Sequence, residues 1–254
     1  MGNYFLAIDQ GTTSTRTVLY GSNFTALDQN QIEIRQYYPR PGYVEHDAQE
    51  IWDKTFSTVS SLLEKNGLDA SQIISIGITN QRETIVGWDQ KTGKPIGRAI
   101  VWQDKRTTDY CKTLQNQGVE KEVIEKTGLL LDPYFSASKL RWLNDNFKEE
   151  IVNKNILFGT IDTFLLWKLT KGDVYATDVS NAARTSLLNI STLDWDQDLI
   201  KLFELEKINL PEIKKNADDF GSTTLFGGDI KISGMAGDQQ AALLARHFEA
   251  GDIK

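Results

Sequence analysis

Phe5-Leu6-Ala7-Ile8-Asp9-Gln10-Gly11-Thr12-Thr13-Ser14-Thr15-Arg16-Thr17-Val18-Leu19-Tyr20 is the stretch on which the fold turns. Phe5 to Ile8 is an apolar run that ends in a carboxylate, Asp9. Gly11 lets the backbone bend tightly. Val18-Leu19-Tyr20 then resumes a strand before the turn residues Gly21-Ser22-Asn23. The pattern predicts strand, polar turn, strand. Thr12, Thr13 and Ser14 put hydroxyls and backbone N–H groups on that turn, a donor set that suits phosphate oxygens. A carboxylate beside it suits Mg²⁺, directly or through water. The stretch is unlike the Gly-x-x-x-x-Gly-Lys-Ser/Thr loop, which carries a lysine and opens a helix. Asp-Gln-Gly-Thr is equally good chemistry for an ordinary turn, so both readings stay open at this point.

Around this stretch lies a chain of 254 residues, 40% hydrophobic and 25% charged, which describes a soluble globular protein of one large domain or two small ones. A net charge of -7 supplies no basic field for nucleic acid or an anionic membrane. The lone Cys111 allows no internal disulfide, fits a reducing, cytoplasmic compartment, and reads as a plain helix residue. The chain enters a strand almost at once, so no signal peptide is expected. No apolar run approaches the ~20 residues of a membrane span.

Further along, Gln31 to Tyr38 predicts a third strand, broken by Pro39-Arg40-Pro41-Gly42. His46 has no second His or Cys near it in sequence and reads as an exposed or hydrogen-bonded residue, not a metal ligand. Asp47-Ala48-Gln49-Glu50 has capping-box form. Trp52, Thr55, Phe56, Val59, Leu62 and Leu63 follow at helical spacing, and Asn66-Gly67 ends that helix. Ile73 to Thr79 is short and nearly all apolar, which fits a buried central strand. It runs into Asn80-Gln81-Arg82-Glu83, and Thr84 to Trp88 resumes a strand. Ala99 to Asp104 is another strand with a polar end. Helices are predicted around Arg106 to Gln117 and Glu120 to Lys126, and again after Asp132-Pro133-Tyr134-Phe135-Ser136, with Leu140, Leu143 and Phe147 on one face. Ile156 to Phe158 reads as a strand, Thr160 to Leu169 as a core helix, and Asp194 to Leu205 as a helix. Asp178 to Arg184 has no clear assignment, and Asp219 to Asp229 reads as loop. The strand Ile230 to Ser233 leads through Gly234 to Gln240 into a helix, Ala241 to Phe248.

Four strand ends thus present polar groups: Asp9 to Ser14, Arg82-Glu83, Trp102-Gln103 and Asp238-Gln239. Open α/β sheets place ligands at such ends. Arg82-Glu83 also suits a plain exposed turn.

Together these stretches resemble the FGGY family of carbohydrate kinases, specifically the N-terminal domain of its glycerol-phosphorylating members. The likeness rests on Ala7 to Ser14, Pro41 to Asp47, Gly77 to Thr84, Asp132 to Ser136 and Ser233 to Ala242, with Lys139, Trp142 and Asn146 also in place. It covers essentially the whole chain, and the order and spacing of the motifs are very specific.

The resemblance implies an α/β, actin-like (ribonuclease H-like) ATPase domain: a mixed central sheet flanked by helices, the N-terminal of two family domains, over residues 1–254. It implies ATP-dependent transfer of the γ-phosphoryl to a terminal hydroxyl of glycerol, giving sn-glycerol 3-phosphate. By the same resemblance Thr12, Thr13, Ser14 and Arg16 contact the ATP phosphates. Asp9 and Asp238 lie at Mg²⁺, through water. Arg82, Glu83, Tyr134, Asp238 and Gln239 hold glycerol, Trp102 packs on its carbons, and Asp238 is the base toward the attacking hydroxyl. The family's second, nucleotide-binding domain has no counterpart in these residues, so this chain alone is expected to be inactive. Thr224 to Asp229 has neither Arg nor His, and regulation by an anionic effector there is not expected. A homo-oligomer stays open. The alternatives are a kinase for another polyol or sugar of the same family, or a non-catalytic actin-like binding or assembly module.

Overall fold

In the computed structural model, which describes residues 4–153 and 155–245, the opening stretch is a hairpin. β1 (Tyr4–Gln10) pairs antiparallel with β2 (Ser14–Gly21), with Asp9 opposite Arg16. β3 (Ala26–Glu33) continues the meander. The third strand therefore begins earlier than Gln31, and only β4 (Gln36–Tyr37) forms within the later part of the predicted run. The reason is position: β3 is the edge of its sheet, so neither face is fully covered and no apolar alternation marks it.

After β5 (Glu45–His46) comes the long helix α1 (Ala48–Lys65). Asp47 caps it, accepting from Gln49 N at 2.9 Å and Glu50 N at 3.2 Å. Glu50 does not complete a box but binds Arg35 N and Lys54. Gly67, at φ 60°, turns the chain out where the sequence placed the stop. β6 (Ile73–Asn80), β7 (Ile85–Asp89) and β8 (Ala99–Ile100) follow. β8 is shorter than predicted because Val44 N and Arg106 draw Asp104 into a turn.

The helical middle is α2 (Thr108–Asn116), α3 (Glu120–Thr127), α4 (Ser136–Asn146) and α5 (Lys148–Asn153). β9 (Ile156–Thr160) leads into α6 (Ile161–Leu169), in which every residue but Lys168 is buried. Next come β10 (Ala176–Asp178), α7 (Val179–Ala182) and β11 (Leu188–Asn189). The predicted helix from Asp194 is split. Asp194 and Trp195 form β12 (Asp194–Trp195) against β11, and Asp196 caps the shorter α8 (Gln197–Leu202). β13 (Glu212–Lys214) and β14 (Ser222–Thr223) precede the last strand, and β14 interrupts the predicted loop. β15 (Ile230–Gly237) runs on past Ser233 and hands over directly to α9 (Asp238–Leu244). The helix end expected at Phe248 lies outside the described residues.

The main sheet has the order β14-β15-β6-β1-β2-β3, and a second sheet runs β4-β5-β8-β7-β9. β6 is central, parallel to both β1 and β15. One core packs Leu6, Ile8, Ile76 and Ile232 of the main sheet under Val59, Leu62 and Leu166. A second gathers Ile85, Phe158, Leu140 and Phe203 behind the other sheet. Trp88, Ile51 and Phe164 fill a third cluster shared by α1, α6 and the second sheet. Among the described residues, no helix is long and apolar enough to cross a membrane.

Candidate active site

Three neighbouring parallel strands end together. Gln10 of β1 is in register with Asn80 of β6, and Asn80 with Gly237 of β15. The Asp9 hairpin, Arg82-Glu83 and Asp238 therefore emerge at one edge of one sheet. With about 4.8 Å between strands, Asp9 and Asp238 stand on backbones about 10 Å apart.

At the hairpin, Arg16 Nη2 donates to Asp9 Oδ2 at 2.5 Å. Gly11 N closes the turn on Ser14 O at 2.9 Å. The Trp102 indole N–H donates to Thr12 Oγ1 at 2.9 Å, and Gln31 Nε2 to Ser14 Oγ at 2.9 Å. Thr13 is exposed. Beneath the turn, Gln81 Nε2 faces Gln10 Oε1 at 3.1 Å, Gly11 O at 3.2 Å and His46 Nδ1 at 3.2 Å. His46 is fully buried, and burial pulls its imidazole down to about 4. A neutral ring accepts at Nδ1 there. His46 is thus hydrogen-bonded, and no group of three or more potential metal ligands occurs among the described residues.

Arg82 is buried, with Nε 3.1 Å from Asp238 Oδ1 and Nη1 donating to Gln240 Oε1 at 3.3 Å. The Nε–H is not aimed at the carboxylate, so this is a charge contact rather than an aligned hydrogen bond. Gly237 makes room for it: a Cβ there would lie 2.5 Å from Arg82 Cδ. Glu83 sits at φ 61°, a left-handed conformation unusual for a residue with a side chain. Its carbonyl accepts from Ser136 Oγ at 3.2 Å, and its carboxylate from Arg184 Nε at 2.6 Å. Burial raises the Glu83 carboxyl above the usual range, against the opposing pull of Arg184, Arg82 and Lys139.

Tyr134 comes from the loop before α4. Its ring meets Trp102 edge-on, centroids 5.5 Å apart. That loop is held from inside by Lys139, whose Nζ donates to the carbonyls of Pro133 at 2.7 Å, Tyr134 at 2.5 Å and Phe135 at 2.9 Å. Full burial draws the Lys139 ammonium down to about 7. Asp238 opens α9 and is half exposed, and Gln239 beside it is exposed.

The structure thus gathers Asp9, Thr12, Thr13, Ser14, Arg16, Arg82, Glu83, Trp102, Tyr134, Asp238 and Gln239 around one edge. Sequence reasoning missed two further features. One is Arg184, from the stretch left unassigned. The other is a buried polar web below the strand ends. Asn80 and Asn181 exchange amide hydrogen bonds, and Asn80 Nδ2 also reaches Asp162 Oδ1 at 3.2 Å. Asp178 accepts from Ser180, Asn181 and Asn216, and Ser180 Oγ accepts from Gly237 N at 2.9 Å. The two carboxyls are both raised by burial, Asp162 to about 6. The available signal was the polar set Thr177, Asp178, Ser180, Asn181 and Arg184 closely spaced after the apolar helix α6.

Comparison with known proteins shows which family the sequence and fold resemble. The description "FGGY family of carbohydrate kinases, N-terminal domain" matches residues 4–245. The glycerol kinase of Rhizobium meliloti (strain 1021) is 51% identical over all of this chain and 52% of its own length. That of Staphylococcus epidermidis is 47% identical over all of this chain and likewise 52% of its own. The chain spans about half the length of the curated relatives it matches. Among solved structures, Plasmodium falciparum glycerol kinase with ADP superposes with a TM-score of 0.90 at 35% identity, over 96% of this chain and 50% of that one. Ligand-bound xylulose kinase from Lactobacillus acidophilus gives 0.85 at 26%, over 95% and 49%. Matched by that family description over residues 4–245 and superposing on a family member over 96% of its length, this chain belongs to the FGGY family of carbohydrate kinases, as an N-terminal domain of actin-like fold.

Proposed function

We propose that the chain supplies the polyol and phosphate half of an ATP-dependent kinase that converts glycerol to sn-glycerol 3-phosphate. The observation that carries this is the meeting of Arg82, Glu83 and Asp238 at adjacent strand ends, beside the donor-lined hairpin of Asp9. A triol has no charge and little apolar surface, so fixed charged donors and acceptors suit it. Arg82 would donate to its hydroxyls, and Glu83 and Asp238 would accept. Trp102, locked by Thr12, and Tyr134 would wall its carbon skeleton, with Gln239 at the rim. A ligand lacking a hydroxyl would leave these groups unpaired.

The transition state of phosphoryl transfer is loose, so positioning and charge neutralisation carry most of the acceleration. Thr12, Thr13, Ser14 and Arg16 would hold phosphate oxygens, and Asp238 would orient the attacking hydroxyl and take its proton late. Asp9 and Asp238 fit a hydrated Mg²⁺, since their side chains are 30% and 47% exposed and Asp9 already holds a cationic group. When bound, Mg²⁺ offsets charge on the transferring phosphoryl. The adenosine half of the nucleotide site would come from a second domain, matching the part of the relatives that this chain does not span. Closure of two such halves excludes water and completes the site.

Glycerol-dependent ADP formation by the chain alone, and joined to the second half of the Rhizobium meliloti relative, tests this. Turnover is expected from the joined form and little or none from the chain alone. Full turnover by the chain alone would remove the half-site reading. Calorimetry with glycerol, xylulose and erythritol tests the substrate; tighter binding of either of the others would point to another polyol or sugar. ATP-dependent sedimentation without phosphorylation would favour an assembly module.

A further inference from the structure

Arg184 stands out because the proposed phosphoryl transfer does not use it, yet it touches two walls of the site. It belongs to the segment after α7, 101 residues from Glu83 in sequence. Its Nε donates to Glu83 Oε1 at 2.6 Å. Its guanidinium also lies over the Phe135 ring, 4.9 Å from the centroid, and 5.6 Å from that of Tyr134. Glu83 comes from the turn between β6 and β7, and Tyr134-Phe135 from the loop before α4. Like the Ser136 hydroxyl on the Glu83 carbonyl, Arg184 thus bridges these walls.

We propose that Arg184 is a positioning residue, which holds the Glu83 carboxylate ionised and oriented as a polyol acceptor while bracing the Tyr134 wall. This rests on the polyol reading of the site. The geometry fits the task. Glu83 is nearly inaccessible, 1% exposed, so its charge has little water to stabilise it and depends on nearby cations. Those facing it are Arg82, from its own turn, Lys139 from α4 and Arg184. Arg82 is committed to Asp238 and Gln240, and Lys139 points its protons at the carbonyls of residues 133–135. Among these three cations, Arg184 is the one whose side chain donates a hydrogen bond to the Glu83 carboxylate. Its planar guanidinium can hold the carboxylate at one edge and stack on an aromatic with its face, which a lysine cannot.

The sign follows directly. Burial favours the neutral acid at Glu83, and removing Arg184 removes an opposing influence. The acid would then persist to higher pH, and as a neutral acid Glu83 is a poorer acceptor for a hydroxyl proton. The test is ¹³C side-chain titration of Glu83 together with glycerol binding in this chain, comparing wild type, Arg184→Gln and Arg184→Lys, with folding checked by circular dichroism. In Arg184→Gln the Glu83 midpoint should rise, and glycerol affinity near pH 7 should fall roughly tenfold or more, recovering partly at alkaline pH. Arg184→Lys should return the midpoint toward wild type while restoring only part of the affinity. An unchanged midpoint and affinity in folded Arg184→Gln would overturn the proposal, as would a pH-independent loss shared equally by both variants. Should wild type show no glycerol-induced shift at Glu83 or Tyr134 while the midpoint still moves in Arg184→Gln, the polyol reading fails and the electrostatic role of Arg184 stands.

Discussion

Gly237 shows what one missing atom group does. Its hydrogen allows the Arg82 stem to lie across the end of β15, which brings Nε to 3.1 Å from Asp238. Gly237→Ala would place a methyl 2.5 Å from Arg82 Cδ, and the side chain must move. Glycerol affinity should fall by about tenfold, or about 1.4 kcal/mol, with little change in melting temperature, as calorimetry and a thermal melt can read. Asp238→Asn keeps the shape but removes the carboxylate proposed to accept the hydroxyl proton. In the joined enzyme kcat should fall by about 10² to 10⁴, with a smaller change in KM. Asp9, Arg82 and Asp238 were legible because each is a charge at or just beyond the end of a predicted strand. The part played by Gly237 was not, since nothing local says which side chain will cross it.

At the scale of elements, α1 shows local and tertiary causes side by side. Its cap, apolar spacing and Asn66-Gly67 stop are all local, and all are observed. Asp47→Ala should cost about 1 kcal/mol through the lost cap, and Leu62→Ala about 2–5 kcal/mol through a cavity in the main core. Urea unfolding should rank the two in that order. Short strands behaved differently. β4, β5, β8, β12 and β14 are two residues each, too short for any period to register. They exist because a partner strand lies alongside, as β11 does for β12. Trp195 is pinned further by its indole donating to Pro211 O at 2.8 Å, which holds the residue out of the helix predicted there.

For the molecule as a whole, the joint between the two sheets is polar. His46 of the second sheet meets Gln81 at the end of the main one, and Gln81 in turn donates to Gln10. Burial lowers the His46 imidazole from 6.5 to about 4, so the unfolded chain binds its proton more readily than the folded one. The stability this residue contributes is present above pH 6.5 and is lost as pH falls toward 4. Asp162, buried beside Asp178, acts in the opposite sense: burial raises its carboxyl, so its contribution favours the folded state at low pH and is lost as pH rises. The two partly cancel in the wild type. His46→Gln should therefore lose less stability than wild type between pH 6.5 and 4, by an amount on the order of 3 kcal/mol at most. Urea midpoints of the two proteins should diverge across that range, the wild type falling more steeply as pH drops, and identical slopes would refute it.

The order of apolar runs, the charges that end them and the caps between them lie in the sequence, because each depends only on neighbours a few residues away. They were enough to read the hairpin, the central strand, the long helix and the polar strand ends. Which of those ends share an edge was decided by pairing: β1, β6 and β15 had to lie side by side before Asp9, Arg82 and Asp238 could face one space. The reach of Arg184 to Glu83 and the web around Asp178 were likewise set by tertiary packing. Both join residues far apart along the chain, whose contact is favourable only after the apolar layers between them have excluded water.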